Sequence, residues 1–581
     1  MPLMVPQKAL LPTGSLGLVG VNLRRDPLAL ADTECARAIN ADFHTIPGAA
    51  RLRGGRTRLV DSNYNGQIVY VDRVNNRRYV VTTSTAYRDA VLIQPDLDPT
   101  GSTGTSYRPL NDSSTWTFLM NRAARVKDDG VFIRTWGYAA PMSAPGVTVG
   151  AAGGSTGRHA FLYTYLRKTG TGAIAGESNN SPSSVAIVVS NQAVNVSALT
   201  DSADPQITHK RLYRTLNAGG LYLVDQDVPT GTLTATSTKL DGALGAQLQL
   251  DHNVPPACSW ATEFQGTVFA VGDANHPDYL WFSKHFQPEY FPTDHFLQIG
   301  SAQDALLSAV PVLGLLAVFT RQTKYRVFGS SAVGYSYLEA ISKRGTPVPR
   351  AVVGTDQGAL FVARDGLFLS PLIAEDILLS SPIEPLWYDE TVNDYAPIDW
   401  TRADEIAVAA WKQRFYFSYP TTDGNNMVAV YSRETQHWYF FQYAEPVTAL
   451  RWELETGLLL AGTRGGVLTS LEVPGHTDES GLVEYLVEGK TRAAAGTSSV
   501  KAVFQFFRAD IDAGGAQVLL EFVIDGVVRY RKVITGGRIR QLYRFPDNVM
   551  GHVWAPRIRY TGTATIVVYG VEVYAFPLGY S

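Results

Sequence analysis

Apolar and polar residues alternate along much of this chain with a period of two. The clearest case is the stretch 405–441, where four short apolar runs are separated by polar turns at 412–414, 421–426 and 432–437. Alternation with this period predicts half-buried β-strands, and the Gly, Asn, Asp and Ser residues near the breaks predict hairpin turns. Four antiparallel strands in about 40 residues have the length of one β-propeller blade.

Units with the same layout precede and follow this stretch, and we expect about five to seven blade-like units in all. A radial array of such units buries the faces of neighbouring sheets against each other and leaves only short edges exposed. The pattern therefore predicts a β-propeller core. The further units are predicted at 66–83, 116–136, 258–292, 315–329, 359–369 and 447–471.

Two segments depart from this pattern. The first is rich in Thr, Ser and Val, and its predicted strands, about six in number, match the size of an immunoglobulin-like sandwich. Blade-like units resume after it, so we interpret it as an insertion into the propeller. The predicted class is all-β, with an N-terminal segment (1–62), the first part of the propeller (63–145), an inserted fibronectin type III-like or immunoglobulin-like domain (146–256), the remainder of the propeller (257–474) and a C-terminal β-sandwich (475–581).

The sequence of the N-terminal segment indicates both helical and strand structure. A short helix is expected near residues 33–40, with Asp32 or Thr33 as its cap. A basic hairpin is expected after it, carrying Arg51, Arg53, Arg56 and Arg58. Such an arginine run can bind phosphate or an acidic partner surface. A solvated strand or a strand in a subunit interface is the simpler interpretation.

The composition agrees with many short strands joined by turns. Charged residues make up only 18 % of the chain, while Gly and Pro number 52 and 31. The net charge of −3 gives no overall basic field for nucleic acid. Two distant cysteines, Cys35 and Cys258, support neither a disulfide framework nor a thiolate metal site. We find no signal peptide and no run of about 18 apolar residues, so we expect a protein without a membrane-spanning segment, made in a cytoplasm.

Catalytic patterns give only weak matches. Ser155 stands in a G-x-S-x-G pattern at 153–157. A nucleophile elbow lies between a strand and a helix, whereas here a small-residue stretch precedes the serine and a predicted strand follows it. The turn 432–438, SRETQHW, is faintly similar to the loop repeat of sialidases. A structural turn closed by a core tryptophan is the preferred interpretation.

Three histidines lie closest together in the sequence, at His276, His285 and His295, and Asp273 or Asp278 would be further metal ligands. Their spacing fits no ligand pattern of a helix or a hairpin. Polar loop residues are the preferred interpretation.

Paired carboxylates of the kind that glycosidases use can be drawn from several places in a chain with 53 acidic residues. Asp278 with Glu289, and Asp389 with Glu390, are two such pairs, and no pattern assembles them into a site. We therefore predict no catalytic, cofactor-binding or metal-binding residue, no cofactor, and a protein that is not an enzyme.

Several stretches resemble a known family. Residues 21–62 resemble the opening of tail nozzle, or tail tubular, proteins of short-tailed (podovirus-like) bacteriophages, which carry a short helix with an Asn followed by an Arg-Gly-rich hairpin. Residues 264–292 look like the propeller blade that follows in such proteins, and 557–579 look like their terminal strands. The inserted segment is similar to fibronectin type III-like modules of phage tails at 161–166, 177–182, 207–215 and 240–244.

This resemblance implies a virion structural protein with no catalytic residues. Copies of it would form a homo-oligomeric ring, usually a hexamer, at the distal end of the tail, in contact with the tail adaptor and tail fibres. The ring would continue the DNA channel, retain the genome and allow its ejection, with DNA passing without specific binding. The alternatives are a receptor- or carbohydrate-binding tail protein (a propeller lectin or fibre) and, third, a polysaccharide-degrading propeller enzyme.

Overall fold

The computed structural model describes residues 11–16, 18–60, 63–99, 101–110, 112, 114–478 and 481–578. The regular secondary structure of the described chain is almost entirely β-strand, which confirms the all-β class. Its few helical turns are of the 3-10 type, at Asp241–Ala243, Ser381–Trp387 and Trp400–Glu405. The chain divides into two compact units. One consists of Met1–Asp72, Val80–Thr82 and Arg344–Ser581, and the other of Arg73–Tyr79 and Thr83–Lys343.

The N-terminal residues supply strands to three different sheets of the first unit. These strands are short, and they join sheets most of whose other strands lie hundreds of residues later in the chain. They are β1 (Leu11–Ser15), β2 (Gly20–Val21), β3 (Glu34–Ile39), β4 (Ala41–Asp42), β5 (Ala50–Leu52) and β6 (Gly55–Arg58).

Two four-stranded antiparallel sheets follow, each made of strands that are consecutive in the chain. Alternating apolar residues on these strands are buried, as in β12, where Trp116, Phe118 and Met120 are fully buried. The first sheet is β7 (Ile68–Val74), β8 (Arg77–Thr82), β9 (Ala86–Arg88) and β10 (Val91–Gln94), and the second is β11 (Ser102–Tyr107), β12 (Trp116–Asn121), β13 (Arg125–Asp128) and β14 (Ile133–Thr135).

The next seven strands form a two-sheet sandwich of the fibronectin type III or immunoglobulin kind. One sheet has the order β15-β18-β21 and the other the order β17-β16-β19-β20. Tyr163, Val194 and Leu212 from both sheets share its core. The strands are β15 (Gly146–His159), β16 (Phe161–Lys168), β17 (Ile174–Glu177), β18 (Ile187–Ser197), β19 (His209–Thr215), β20 (Tyr222–Pro229) and β21 (Ala235–Ser237).

Consecutive-strand sheets then resume, with three more of four strands each. Their strands are β22 (Trp260–Phe264), β23 (Thr267–Val271), β24 (Tyr279–Phe282) and β25 (Phe296–Gln298); β26 (Ser308–Val312), β27 (Leu315–Phe319), β28 (Lys324–Ser330) and β29 (Gly334–Glu339); and β30 (Val352–Gly354), β31 (Ala359–Ala363), β32 (Gly366–Ser370) and β33 (Ile377–Leu378).

The last two repeats are β34 (Ala407–Trp411), β35 (Arg414–Pro420), β36 (Asn426–Ser432) and β37 (His437–Phe441), followed by β38 (Val447–Glu453), β39 (Leu458–Thr463) and β40 (Leu468–Val473). The final sheet lacks a fourth strand of its own and takes β6 instead, in the order β38-β39-β40-β6. Seven such four-stranded units occur among the described residues. Small sheets of consecutive antiparallel strands are the blades of a β-propeller.

The C-terminal residues form a β-sandwich together with the N-terminal strands. Its two sheets have the orders β4-β5-β50-β44-β47 and β3-β42-β49-β45-β46, and the second continues through β2 into the sheet β34–β37. The strands are β41 (Thr477–Asp478), β42 (Gly481–Gly489), β43 (Arg492–Ala493), β44 (Ala502–Asp512), β45 (Gln517–Ile524), β46 (Val527–Thr535), β47 (Ile539–Arg544), β48 (Met550–Gly551), β49 (Val553–Gly562) and β50 (Val567–Pro577).

The predicted short helix near residues 33–40 is wrong. The strand β3 occupies this stretch and pairs in parallel with β2 and antiparallel with β42. Cys35 and Ala38 are completely buried by these contacts. Helix propensity is a weak preference that tertiary pairing overrides.

The predicted basic hairpin is also wrong. Its two strands do not pair with each other, because β5 pairs with β4 and β50 while β6 pairs with β40. Gly54 lies where the chain crosses between these sheets. A Cβ atom at Gly54 would come within 2.8 Å of the Cα of Glu472, so only glycine allows this approach.

Candidate functional site at a buried arginine cluster

Five charged side chains meet in the interior of the first unit, although they come from four separate parts of the sequence. They are Asp42 on β4, Arg53 after β5, Arg414 on β35, Glu472 on β40 and Asp478 on β41. None of these side chains is more than 9 % exposed. We call this set the buried arginine cluster.

Arg53 is bonded on every side of its guanidinium. Its two terminal nitrogens donate to the Asp478 carboxylate at 3.0 and 2.7 Å, and Nε donates to Oδ1 of Asn40 at 2.8 Å. It also donates to the carbonyl of Gln442 at 3.0 Å and lies 4.2 Å from the centre of the Tyr443 ring. Burial lowers the pKa of Arg53, but Tyr443 and Asp478 raise it further, so the charge is retained. A bidentate pair with added hydrogen bonds offsets the cost of burying both charges.

Arg414 lies between two carboxylates without a close pair to either. Its Nη1 is 3.6 Å from Oδ2 of Asp42 and 3.7 Å from Oε2 of Glu472. Burial raises the pKa of Glu472 to about 7, with Asp42 adding to the rise and Arg414 opposing it. Glu472 also has a φ of +55° and stands at an irregularity in the pairing of β40 with β6. The carboxylate is thus held in the interior by an unusual backbone conformation.

Tyrosines surround these charges. Burial holds the pKa values of Tyr416 and Tyr439 well above the ordinary value, so both phenols are neutral. Among the described residues, the hydroxyls of Tyr439 and Tyr443 and the Oε1 atom of Glu472 have no hydrogen-bond partner. The cluster is therefore polar but incompletely hydrogen-bonded, which costs stability at each such atom.

His476 extends the cluster toward the C-terminal sandwich. Its Nδ1 lies 2.6 Å from the carbonyl oxygen of Arg53, and its Nε2 lies 2.8 Å from the Thr565 hydroxyl. Burial lowers the pKa of His476. The imidazole bridges the end of the N-terminal segment to the loop before β50.

The cluster joins parts of the fold and excludes substrates. Arg53 and Asp478 satisfy each other, Arg414 lies at longer range between Asp42 and Glu472, and the low exposure of all five side chains shields the carboxylates from a sugar or a peptide. Removing one partner of a buried pair typically costs about 3–5 kcal/mol, because the other charge stays buried. The cluster therefore holds together the N-terminal segment, two blade-like sheets and the C-terminal sandwich.

The arginines of this site are apparent in the sequence, but their acidic partners are not. The run of arginines was visible, but the interpretation as a phosphate-binding or solvated strand misses that Arg53 is fully buried and that Arg56 lies 3.5 Å from Glu445. The acidic partners lie nearly 400 residues or more away in sequence. A Gly-Gly pair beside buried arginines is the one local signal for a close backbone approach.

A second buried pair lies in the other unit. The Lys127 ammonium and the Glu289 carboxylate are in direct contact, with Lys127 fully buried and Glu289 5 % exposed. The ammonium also donates to the Tyr138 hydroxyl at 3.2 Å and lies 4.8 Å from the centre of the Trp116 ring. Burial lowers the pKa of Lys127, and Glu289 opposes this change.

The structure does not assemble the histidine candidates. His276 lies 3.2 Å from Asp273, the His285 ring lies tilted against that of Phe286, and His295 stacks on Phe282. No group of three or more His, Cys, Asp or Glu that could hold a metal ion occurs among the described residues.

The remaining candidates have separate surroundings. Ser155 is buried within the long strand β15, with no helix after it. Asp278 accepts a hydrogen bond from Gln298 at 2.8 Å, whereas Glu289 contacts Lys127. Asp389 and Glu390 are both exposed.

The turn 432–438 has a structural role. Trp438 is completely buried, and its indole N–H donates to the carbonyl of Leu379 at 2.8 Å. Gln436, which stands where a turn glycine would be expected, has a φ of +58°. The two cysteines, Cys35 and Cys258, are both buried, and neither is part of a disulfide. In the described part of the chain, no helix is long and apolar enough to span a membrane.

Comparisons with known proteins identify no relative by sequence: no family model matches the chain, and no curated protein does. Similar solved structures include the computationally designed Ika8 protein, at 12 % identity over 71 % of this chain and 99 % of that one, with a TM-score of 0.31. The Dos1 propeller is 11 % identical over 72 % of this chain and 94 % of that one, with a TM-score of 0.29. YCF48 bound to a D1 peptide is 7 % identical over 71 % of this chain and 97 % of that one, with a TM-score of 0.27. TM-scores at this level carry no argument about function, and the propeller assignment rests on the order of the strands.

Proposed function

We propose that this protein is a structural, non-enzymatic subunit of the tail nozzle or tail tube of a short-tailed bacteriophage. In this role six copies of the chain form a ring. The ring extends the DNA channel, retains the genome and allows its ejection into the host. The subunit is assembled in the bacterial cytoplasm and resides in the virion tail. Its partners are other copies, the tail adaptor and tail fibres, and DNA passes without specific binding.

The observation that carries this proposal is how the N-terminal residues are built into the first unit. The segment 21–62 has the clearest resemblance to tail nozzle proteins, and its strands β2–β6 enter three different sheets. A subunit that holds back packaged DNA needs chain ends that resist being pulled away. β2, β3 and β5 are paired on both sides and β4 and β6 on one, and the buried pair of Arg53 and Asp478 anchors the chain between β5 and β6. Pulling this segment away would require these hydrogen bonds and the ion pair to break together.

The charged groups that the fold brings together also favour a scaffold over an enzyme. Arg53 and Asp478 bind each other, as do Lys127 and Glu289 in the other unit. Side chains buried in such pairs stabilise the protein and are not accessible to a substrate. The proposed role is therefore structural: the subunit bears load in the assembly and catalyses no reaction.

Electron microscopy of the purified full-length chain, alone and mixed with the tail adaptor protein, tests this proposal. We expect rings with an open channel, six-fold in class averages, at least in the presence of the adaptor. Monomers under both conditions would contradict it. Strong binding of the isolated monomer on a glycan array would favour the receptor-binding alternative, and release of sugar from capsule would favour the enzyme.

A further inference from the structure

We infer that two oppositely charged surfaces of the first unit bind each other between neighbouring copies of this chain. This inference rests on the proposed function, because it names the contact that would build the ring. One surface is acidic and is formed by residues 365–401. The other is basic and is formed by residues 527–544. We call them the acidic segment and the basic edge.

The charge of the two surfaces is set by their sequences. The acidic segment contains eight carboxylates and no Lys, Arg or His, and the basic edge contains six Lys or Arg residues and no carboxylate. These segregated stretches occur in a chain whose net charge is only −3. The carboxylates are Asp365, Glu375, Asp376, Glu384, Asp389, Glu390, Asp394 and Asp399, and the cations are Arg529, Arg531, Lys532, Arg538, Arg540 and Arg544.

The basic edge is made of two terminal strands. β46 ends the strand order of one sheet of the C-terminal sandwich, and β47 ends that of the other. Their inner sides meet, since the Lys532 ammonium lies 4.9 Å from the centre of the Tyr543 ring. Alternate residues therefore point outward, and Val527, Arg529 and Val533 are exposed. Exposed cations on an edge strand prevent uncontrolled pairing but leave the side chains available to an acidic partner.

Carboxylates near the basic edge do not neutralise it. Glu521 faces two guanidiniums, those of Arg531 at 2.9 Å and Arg559 at 3.2 Å. Asp510 likewise faces Arg538, at 2.9 Å, and Arg540, at 4.0 Å. Glu521 and Asp510 are thus each shared by two arginines, and Asp547 faces Arg544 alone at 2.7 Å. These three carboxylates are fewer than the cations of the basic edge, so an excess of positive charge remains.

Three carboxylates of the acidic segment already face arginines of the same chain, since Asp365 lies 2.9 Å from Arg344, Glu384 lies 3.1 Å from Arg24, and Asp394 contacts Arg37. Eight carboxylates against these three arginines still leave an excess of negative charge.

The acidic segment combines this charge with exposed apolar residues. Asp389 and Glu390 are exposed, and Ile373, Ile377 and Tyr388 are 59 %, 54 % and 56 % exposed. The basic edge has matching apolar residues in Val527, Val533 and Leu542, at 51 %, 48 % and 50 %. Apolar contacts with aromatic residues and arginines are typical of protein interfaces. A charged surface that only faced solvent would not need these exposed apolar residues.

Within one chain the two surfaces are too far apart to satisfy each other. The acidic segment contacts the chain just after β2, where the N–H of Leu23 donates to the carbonyl of Pro382 at 2.8 Å, and the strand β3, where Asn393 donates to the carbonyl of Ala36 at 3.0 Å. β46 lies four strands beyond β3 in the same sheet, or about 19 Å at the usual strand spacing. Screening reduces interactions over more than about 8 Å at physiological salt. The complementary surfaces therefore face outward toward a second copy.

A contact that joins one surface of the first copy to a different surface of the second copy is heterologous. Such a contact generates a ring where its rotation closes and an open filament where it does not, whereas a two-fold contact stops at a dimer. Opposite charges on the two surfaces speed association and reject incorrect orientations. The structure thus supplies a head-to-tail contact of the kind that a ring requires.

Charge reversal tests this contact. The basic-edge variant is Arg529→Glu with Arg544→Glu, both at exposed positions whose only short ion pair, Arg544 with Asp547, is on the surface. The acidic-segment variant is Asp389→Asn with Glu390→Lys, since Asn tolerates the φ of +58° at residue 389. A control for the basic-edge variant, Arg158→Glu with Arg321→Glu, makes the same charge change as that variant at exposed positions elsewhere.

Sedimentation velocity of the full-length chain at low and high salt measures the outcome. We expect each variant to weaken self-association at least tenfold, a chain carrying both sets of changes to recover it, and the control to match the wild type. Rings that form equally well in all variants would overturn the contact while leaving the proposed function intact. A wild type that never associates, with or without adaptor, overturns both. Loss of duplex DNA binding in the basic-edge variant, with unchanged self-association, would assign this surface to nucleic acid and overturn the contact.

Discussion

Arg414 and Glu472 face each other in the interior with 3.7 Å between their nearest charged atoms, and neither side chain is more than 9 % exposed. This distance is too long for a strong hydrogen bond, so the arginine only partly offsets the burial of the carboxylate. The pKa of Glu472 therefore rises from 4.5 to about 7. A carboxylate with this pKa changes its charge close to neutral pH.

The first prediction concerns the pH dependence of stability. Because the folded pKa of Glu472 lies above the unfolded value, the folded protein binds more protons between pH 4.5 and 7, and stability falls as the pH rises through this range. The loss should reach roughly 3 kcal/mol. Glu472→Gln removes this titration, so its melting temperature should fall less than that of the wild type between pH 5 and 7.5.

The comparison with the variant is necessary because His476 acts in the opposite direction. Its pKa is lowered by burial, so its contribution to stability grows as the pH rises toward 6.5. The difference in melting temperature between wild type and Glu472→Gln cancels this contribution. Parallel pH profiles for the two proteins would show that Glu472 is ionised throughout.

The second prediction concerns the bidentate pair of Arg53 and Asp478. Arg53→Met should destabilise the first unit by about 3–5 kcal/mol, because Asp478 then keeps a buried charge without its partner. Asp478→Asn added to Arg53→Met should recover part of this loss. Chemical denaturation of the single and double variants measures the coupling. Arg25→Met, at a side chain that is 55 % exposed, is the control and should change stability by less than about 0.5 kcal/mol.

The third prediction concerns the crossing point between β5 and β6. Gly54→Ala should cost about 1–3 kcal/mol, because its Cβ would press on the backbone of Glu472 at 2.8 Å. Gly537→Ala is a matched control, since a Cβ there meets nothing within 4 Å. Limited proteolysis should release the N-terminal segment faster from the first variant only. Equal cleavage of both would mean that β6 shifts at little cost.

The propeller-like sheets were predictable because their contacts are local. The alternation around Lys412 predicts the pair β34 and β35, whose strands are joined by a two-residue turn. The closing strand β6 was not predictable, because its partner β40 lies about 400 residues later and no alternation in four residues reveals it. The expected helix at 33–40 failed for the same reason. The buried arginine cluster depends on these long-range pairings. The sequence therefore shows the run of arginines that includes Arg53, but not the carboxylates that they contact.

The last prediction concerns the buried pair of Lys127 and Glu289 in the other unit. Lys127→Met leaves the Glu289 carboxylate buried without its cation and should cost about 3–5 kcal/mol, whereas Lys127→Met combined with Glu289→Leu should lie close to the wild type. The ammonium also contacts Trp116 and Tyr138, and Met preserves much of that apolar packing. Urea unfolding followed by tryptophan fluorescence measures the loss, and Trp116, which lies against Lys127, is one of the ten tryptophans that contribute to the signal. A double variant as unstable as the single one would show that packing, and not the unpaired carboxylate, sets the loss.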